Sequence, residues 1–105
     1  MRIAITSTGD NSGAMIDQRF GRCAFFAIYD SDNDTVEYIP NPNKDVPEGA
    51  GPATVELVAS QKVDKVISGA FGNKIRPLLE SLNIQMLIRN EPNIPIDTII
   101  KNLNR

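Results

Sequence analysis

Residues 65–88 constrain the fold more than any other stretch. Lys65-Val66-Ile67-Ser68 has the composition of a short buried strand, and residues 84–88, Ile-Gln-Met-Leu-Ile, give another. Between them Ile75, Leu78, Leu79 and Leu82 recur at i, i+3, i+4 and i+7, the cleanest helical stripe in the chain. Two strands joined by a helix lie parallel, connected by a right-handed crossover. Pro77 falls early enough in this helix to be tolerated, with at most a bend in the first turn. That unit alone requires a sheet covered by helices, so the chain is expected to be an α/β protein.

The flanking segments extend the pattern. A helix over residues 52–62 presents Val55, Val58 and Ala59, with Leu57 widening the stripe; Gly51 is its expected N-cap and Pro52 its first residue. Beyond Pro92 and Pro95, a last helix carries Ile96, Ile99, Ile100 and Leu103 on one face. Asp97 near its start and Lys101 and Arg105 near its end suit the helix dipole. Upstream, residues 2–6 read as a strand, expected to be central. Residues 24–30 and 35–39 flank Ser31-Asp32-Asn33-Asp34 as an antiparallel hairpin. The second hairpin strand has one wet face and ends at Pro40, which suits a sheet edge. The expected architecture is a five-stranded mixed sheet with flanking helices, in one domain spanning residues 1–105.

Charge and residue usage exclude several functions. Lys and Arg total 11 against 13 Asp and Glu, a net charge of −2, so no global field recruits nucleic acid or anionic membrane. No apolar run approaches the roughly 20 residues of a membrane helix. The chain enters Arg2-Ile3-Ala4-Ile5 without a secretory core, so a cytoplasmic location is expected. With one cysteine and no histidine, there is no internal disulfide, no zinc site of several Cys and His ligands, and no histidine base.

The chemistry concentrates in Asp17-Gln18-Arg19-Phe20-Gly21-Arg22-Cys23, the end of a long loop that begins after the first strand. Two readings of it stand. Cys23 flanked by Arg19 and Arg22 suits an anionic metal–sulfur species. Alternatively, the arginines are solvated, Phe20 plugs the core and Cys23 is a small buried hydrophobe. A second long loop, residues 41–51, contains Pro42, Lys44, Asp45, Pro47, Glu48, Gly49 and Gly51 and is expected to be mobile. Its Gly49-Ala50-Gly51-Pro52 end and the turn Gly69-Ala70-Phe71-Gly72-Asn73 are glycine-rich helix starts, able to offer backbone N–H groups to anions. Lys74 would add charge there; the plainer account of that turn is a tight connection with Asn73 as N-cap. If the Cys23 loop reaches the same sheet edge, three donor-rich elements surround one thiol. Asp30-Ser31-Asp32-Asn33-Asp34 superficially mimics a calcium loop but lacks its glycine and distal glutamate, and a hairpin turn explains it better.

The order Phe20-Gly21-Arg22-Cys23, Asn41-Pro42, Gly49-Ala50-Gly51-Pro52, Val66-Ile67-Ser68-Gly69 resembles the dinitrogenase iron–molybdenum cofactor biosynthesis family. That family includes the NifX and NafY carriers and the carboxyl-terminal domain of NifB. The resemblance runs to about Leu87. It implies a ribonuclease-H-like fold without nuclease residues, and binding and handing on of iron–sulfur or molybdenum-containing clusters rather than catalysis. A related member holds a molybdenum–copper sulfide cluster non-covalently. By position, the implied site is Arg19, Arg22, Cys23, Gly49 and Gly51, closed by the turn with Gly72 and Asn73, with Cys23 as the metal ligand. The implied partners are cluster donor and acceptor proteins. Many members carry histidine where this chain has Arg19. One thiolate does not complete a cluster's coordination, so binding would be largely electrostatic, shared across a weak homodimer, or bridged by exogenous ligands. The alternative is a regulatory or protein-interaction module whose 41–51 loop docks a partner. A two-metal nuclease needs more strand-borne acids than Glu37.

Overall fold

A computed structural model of the protein describes residues 1–103. In chain order the elements are β1 (Arg2–Ser7), β2 (Phe25–Asp30), β3 (Thr35–Pro40), α1 (Ala50–Ser60), β4 (Lys65–Ser68), α2 (Ile75–Ser81), β5 (Gln85–Ile88) and α3 (Ile96–Leu103). The sheet order is β3-β2-β1-β4-β5, with β1 central as expected. β2–β3 (the hairpin) and β1–β2 pair antiparallel, and β1–β4 and β4–β5 pair parallel. This is the mixed sheet of the expected ribonuclease-H-like α/β fold.

Strand alternation divides the core in two. Ala4, Phe26, Ile28 and Val66 point to one face, where Val55 and Val58 of α1 and Ile75 and Leu79 of α2 cover them. Ile3, Ile5, Ala27, Tyr29 and Ile67 point to the other, under Ile96 and Ile99 of α3. Asp97 and Lys101 occupy the first and last turns of α3, while Arg105 lies outside the described residues.

Helix ends depart from expectation. Gly49, not Gly51, is the N-cap of α1, in the left-handed region at φ 75° where glycine is favoured. Pro52 is therefore the third helical residue. It is tolerated because N–H groups of the first turn have no intrahelical partner to lose. The helix ends at Ser60 rather than Lys62, because Lys62 turns to φ 57°. Lys74, not Asn73, caps α2, and no side chain bonds its first turn. Ile84 leaves β5 because its N–H closes the end of α2 on Leu79 O, 3.0 Å away, and its side chain is buried. The Asp-rich hairpin turn is held locally: Asn33 Nδ2 donates to Asp30 Oδ2 at 3.0 Å and the Tyr29 hydroxyl to Asp34 Oδ1 at 3.1 Å.

One edge of the sheet gathers the loops of interest. The carboxyl ends of β1, β4 and β5 lie there, beside the start of β2 and the end of β3, since Ser7 pairs with Phe25, Phe25 with Pro40 and Ser68 with Ile88. The Cys23 loop, the 41–49 loop and the 69–74 turn thus share an edge.

Candidate functional site

The first loop is fastened at Asp17. Its N–H donates to Thr6 O at 3.0 Å, and its carbonyl accepts from Thr6 Oγ1 at 2.7 Å and from the Gly69 N–H at 3.2 Å. The chain then crosses directly over Gly69. Phe20 drops into the core, edge-on to Phe26 with ring centroids 5.8 Å apart and 5.7 Å from Phe71. Gly21 follows, so close to α1 that a Cβ there would sit 3.1 Å from Gly51 Cα. The two glycines are paired for a backbone contact.

Cys23 lies beneath this turn with 0% exposure, and its thiol donates to Phe20 O at 3.4 Å. Burial, reinforced by the negative Asp17, pushes the thiol from its ordinary 9.0 up to about 12, against the opposing N–H bond from Asn41. At neutral pH Cys23 is a protonated core thiol, while metals and electrophiles take the thiolate. Folded protein should therefore resist thiol reagents at neutral pH and react fully in denaturant. The sign of the linkage follows: the unfolded thiol ionises first, so stability from the neutral buried thiol is complete below 9.0 and lost as pH rises towards about 12. Denaturation midpoints across that window should fall more steeply in the wild type than in Cys23→Ala. Equal slopes would show that the thiol is not held neutral.

Asn41 joins four segments. Buried at the end of β3, its Nδ2 donates to Gly21 O at 3.1 Å and Cys23 O at 3.0 Å, and its Oδ1 accepts from the Asn43 N–H at 3.1 Å. Thr54 of α1, also buried, donates to Gly21 O at 3.1 Å. Arg22 extends over the second loop, its Nη1 donating to Lys44 O at 3.1 Å and Val46 O at 2.8 Å. The loop expected to be mobile is thus tied down along its first half.

A cleft of about 450 Å³ remains between these parts, lined by Gly21, Arg22, residues 49–52, Lys74 and Ile75. Its lining contains no carboxylate. Among the described residues neither Arg22 nor Lys74 pairs with an acid. The start of α1 forms one wall, with no side chain capping it and no acid in its first turn, so its N–H groups and dipole leave that wall positive. Of the expected site residues, Arg22, Gly49 and Gly51 meet here. Gly72 and Asn73 are exposed in the turn beside Lys74 and do not line the cleft. Arg19 is exposed outside it, folded back on the buried Asp17 at 3.3 and 3.4 Å; that hydrogen bond and charge hold its proton more tightly. Cys23 is sealed below. Among the described residues no three His, Cys, Asp or Glu side chains gather to hold a metal ion. Thr54 and Ile75 carry no local sequence signal for this site, whereas Ala50 was visible within the Gly49-Ala50-Gly51-Pro52 motif and Asn41 as half of the Asn-Pro motif.

Comparison with known proteins agrees with this fold. The family model for dinitrogenase iron-molybdenum cofactor matches residues 1–105, further than the motifs alone reach. The apo form of the orange protein from Desulfovibrio gigas superposes with a TM-score of 0.90 at 25% identity, covering 98% of this chain and 86% of that one. An NMR structure of a candidate NifB protein from Thermotoga gives a TM-score of 0.80 at 26% identity, with coverage of 98% and 86%. Among curated proteins, no sequence matches.

Proposed function

The chain belongs to the dinitrogenase iron-molybdenum cofactor family, and on that premise we propose that it is a small non-catalytic carrier or scaffold for an anionic metal–sulfur cluster. The cluster, iron–sulfur or molybdenum-containing, sits in the cleft between Arg22, Lys74 and the start of α1. The observation that carries this reading is the charge balance of the cleft: two cations that, among the described residues, have no carboxylate partner, beside an uncapped helix start. Sulfide and oxo ligands of such cargo are anionic hydrogen-bond acceptors, which guanidinium, ammonium and main-chain N–H groups satisfy together. Gly49, with open space where a Cβ would stand, allows close approach to the backbone, whereas Gly51 is covered by Gly21 and Ile75; Gly72 and Asn73 stand in the turn beside Lys74, and Arg19 stays paired with Asp17. Of the three ways to compensate for a single thiol, binding through charge and N–H donors fits best, because Cys23 becomes a ligand only if its loop lifts. An open cleft suits exchange with donor and acceptor proteins.

The test is anaerobic reconstitution with iron, sulfide and molybdate, followed by desalting, metal analysis and a visible spectrum. The wild type should retain metal with charge-transfer bands. Lys74→Glu, at an exposed position, should weaken retention about tenfold, since reversal replaces an attraction with a repulsion. Cys23→Ala should retain the cluster. Loss in Cys23→Ala with retention in Lys74→Glu would move the site to the thiolate. A metal-free wild type would favour the protein-interaction module.

A further inference from the structure

Arg22 faces two ways. Its Nη1 makes both of the side chain's hydrogen bonds, to Lys44 O and Val46 O of the second loop, and the same residue lines the cleft beside Lys74 and the start of α1. Nε and Nη2 have no partner among the described residues. These two nitrogens form the side-on fork of a guanidinium, which grips two acceptor atoms of one anion at once.

The loop in turn depends on this side chain. Asn43 N–H donates to Asn41 Oδ1, and two long turn bonds follow, from Lys44 N–H to Asn41 O and from Val46 N–H to Asn43 O, each 3.4 Å. Asp45, Pro47 and Glu48 make no hydrogen bond among the described residues. Beyond Asn41, the hydrogen bonds that join residues 43–48 to the body of the protein are, among the described residues, the two from Arg22. Pro47 biases Val46 towards extended backbone, which narrows the directions its carbonyl can take.

We infer that the second loop is the positioning element of the cleft: Lys44 O and Val46 O hold Nη1 so that Nε and Nη2 take the anion, and loop and anion hold each other in place. The identity of the cargo rests on the carrier reading; the coupling applies to any anion in the cleft. An anion on the fork fixes the guanidinium, and with it the grip on both carbonyls, without displacing either bond. A loop drawn away frees a side chain with several rotatable bonds, which must then be ordered at the moment of binding, so affinity falls. The effect is reciprocal: whatever the anion adds to loop closure, closure adds to anion affinity. Displacing residues 43–48 therefore loosens the cargo, although none of them lines the cleft.

Hydrogen exchange over residues 43–48 and equilibrium dialysis test this on the full chain. The probes are the metal reconstituted from iron, sulfide and molybdate, and sulfate as a plain anion against chloride of equal ionic strength. Either probe should slow exchange of the loop in the wild type. Arg22→Lys keeps the charge, but one ammonium cannot hold both carbonyls and still present a fork. Its loop should exchange faster without ligand and gain no protection with it. Pro47→Gly, outside the cleft, should weaken binding about threefold by loosening the loop, and should have no further effect in Arg22→Lys. A loop with a purely structural role would not produce that loss of additivity. Unchanged exchange in the loaded wild type would overturn the inference, as would a Pro47→Gly effect that persists in Arg22→Lys. A wild type that takes up no metal would sink the carrier reading alone, and the sulfate arm then decides. Protection by sulfate in the wild type and not in Arg22→Lys supports the coupling; no protection overturns it.

Discussion

Asn41→Ala is expected to destabilise the protein by about 2–4 kcal/mol, among the largest effects of any polar substitution in the chain. The main-chain bond from Asn41 N–H to Ala24 O, 3.0 Å long, survives the change. What disappears is the carboxamide, which donates to Gly21 O and Cys23 O and accepts from Asn43 N–H. Gly21 O keeps the Thr54 hydroxyl, but Cys23 O is left buried without its partner, and the turn that starts the second loop comes loose. Urea unfolding followed by circular dichroism measures the loss. A second readout ties it to the site: Cys23, sealed in the wild type, should become accessible to thiol reagents under native conditions as the Gly21–Cys23 turn lifts. Asn41→Asp should restore little, because it keeps an acceptor where two donors are needed and adds a charge in a buried position. A loss below about 1 kcal/mol with the thiol still protected would mean that Phe20 and Arg22 hold the loops without it.

Gly69→Ala should be the most damaging single-methyl substitution. A Cβ at Gly69 would lie 2.5 Å from Gln18 Cα and 2.5 Å from its side-chain oxygen. The side chain can swing away; the Cα cannot, because Asp17 beside it is bonded to both β1 and Gly69. Overpacking against fixed backbone costs about 1–3 kcal/mol, occasionally more. In a domain of this size that corresponds to a fall of about 10 °C in melting temperature. Gly72→Ala is the control: its nearest neighbour is Ile75 Cγ1 at an ordinary 3.9 Å, and its effect should be slight. Removing the Gln18 side chain as well (Gln18→Ala) should rescue Gly69→Ala only in part. Full rescue would show that the side chain, not the crossing of the main chain, limits the approach.

Most of the fold was legible in the sequence because its signals are local. The stripe of Ile75, Leu78, Leu79 and Leu82, the hairpin around Ser31-Asp32-Asn33-Asp34 and the β-rich run at residues 65–68 each declare their element by period and turn chemistry alone. The right-handed crossover then ordered β4 and β5. Helix starts were less legible: Gly51-Pro52 and Asn73 are good capping residues by type, but Gly49 and Lys74 take those positions. The loops before α1 and α2 are anchored by contacts from distant segments, and those contacts decide where each helix begins.

For the site, the sequence by itself determined the inventory. It has one thiol, no imidazole, arginines at 19 and 22, and glycines where backbone must approach backbone or ligand. Only the tertiary structure decided how these are used. Arg19 and Arg22 look equivalent along the chain, yet one is paired with Asp17 and the other borders the cleft, its partners among the described residues being carbonyls. Lys74, which no motif connects to Arg22, reaches the same cleft because the parallel strands β1 and β4 bring their carboxyl ends to one edge. Cys23 is buried because Phe20, three residues before it, finds its partners Phe26 and Phe71 in the core and draws the loop down over the thiol. Charge pairing and burial depend on what lies within a few ångströms: for Arg19 that is Asp17, two residues away, but for Arg22, Lys74 and Cys23 the deciding neighbours come from the 41–49 loop, α1 and Phe71, tens of residues away along the chain.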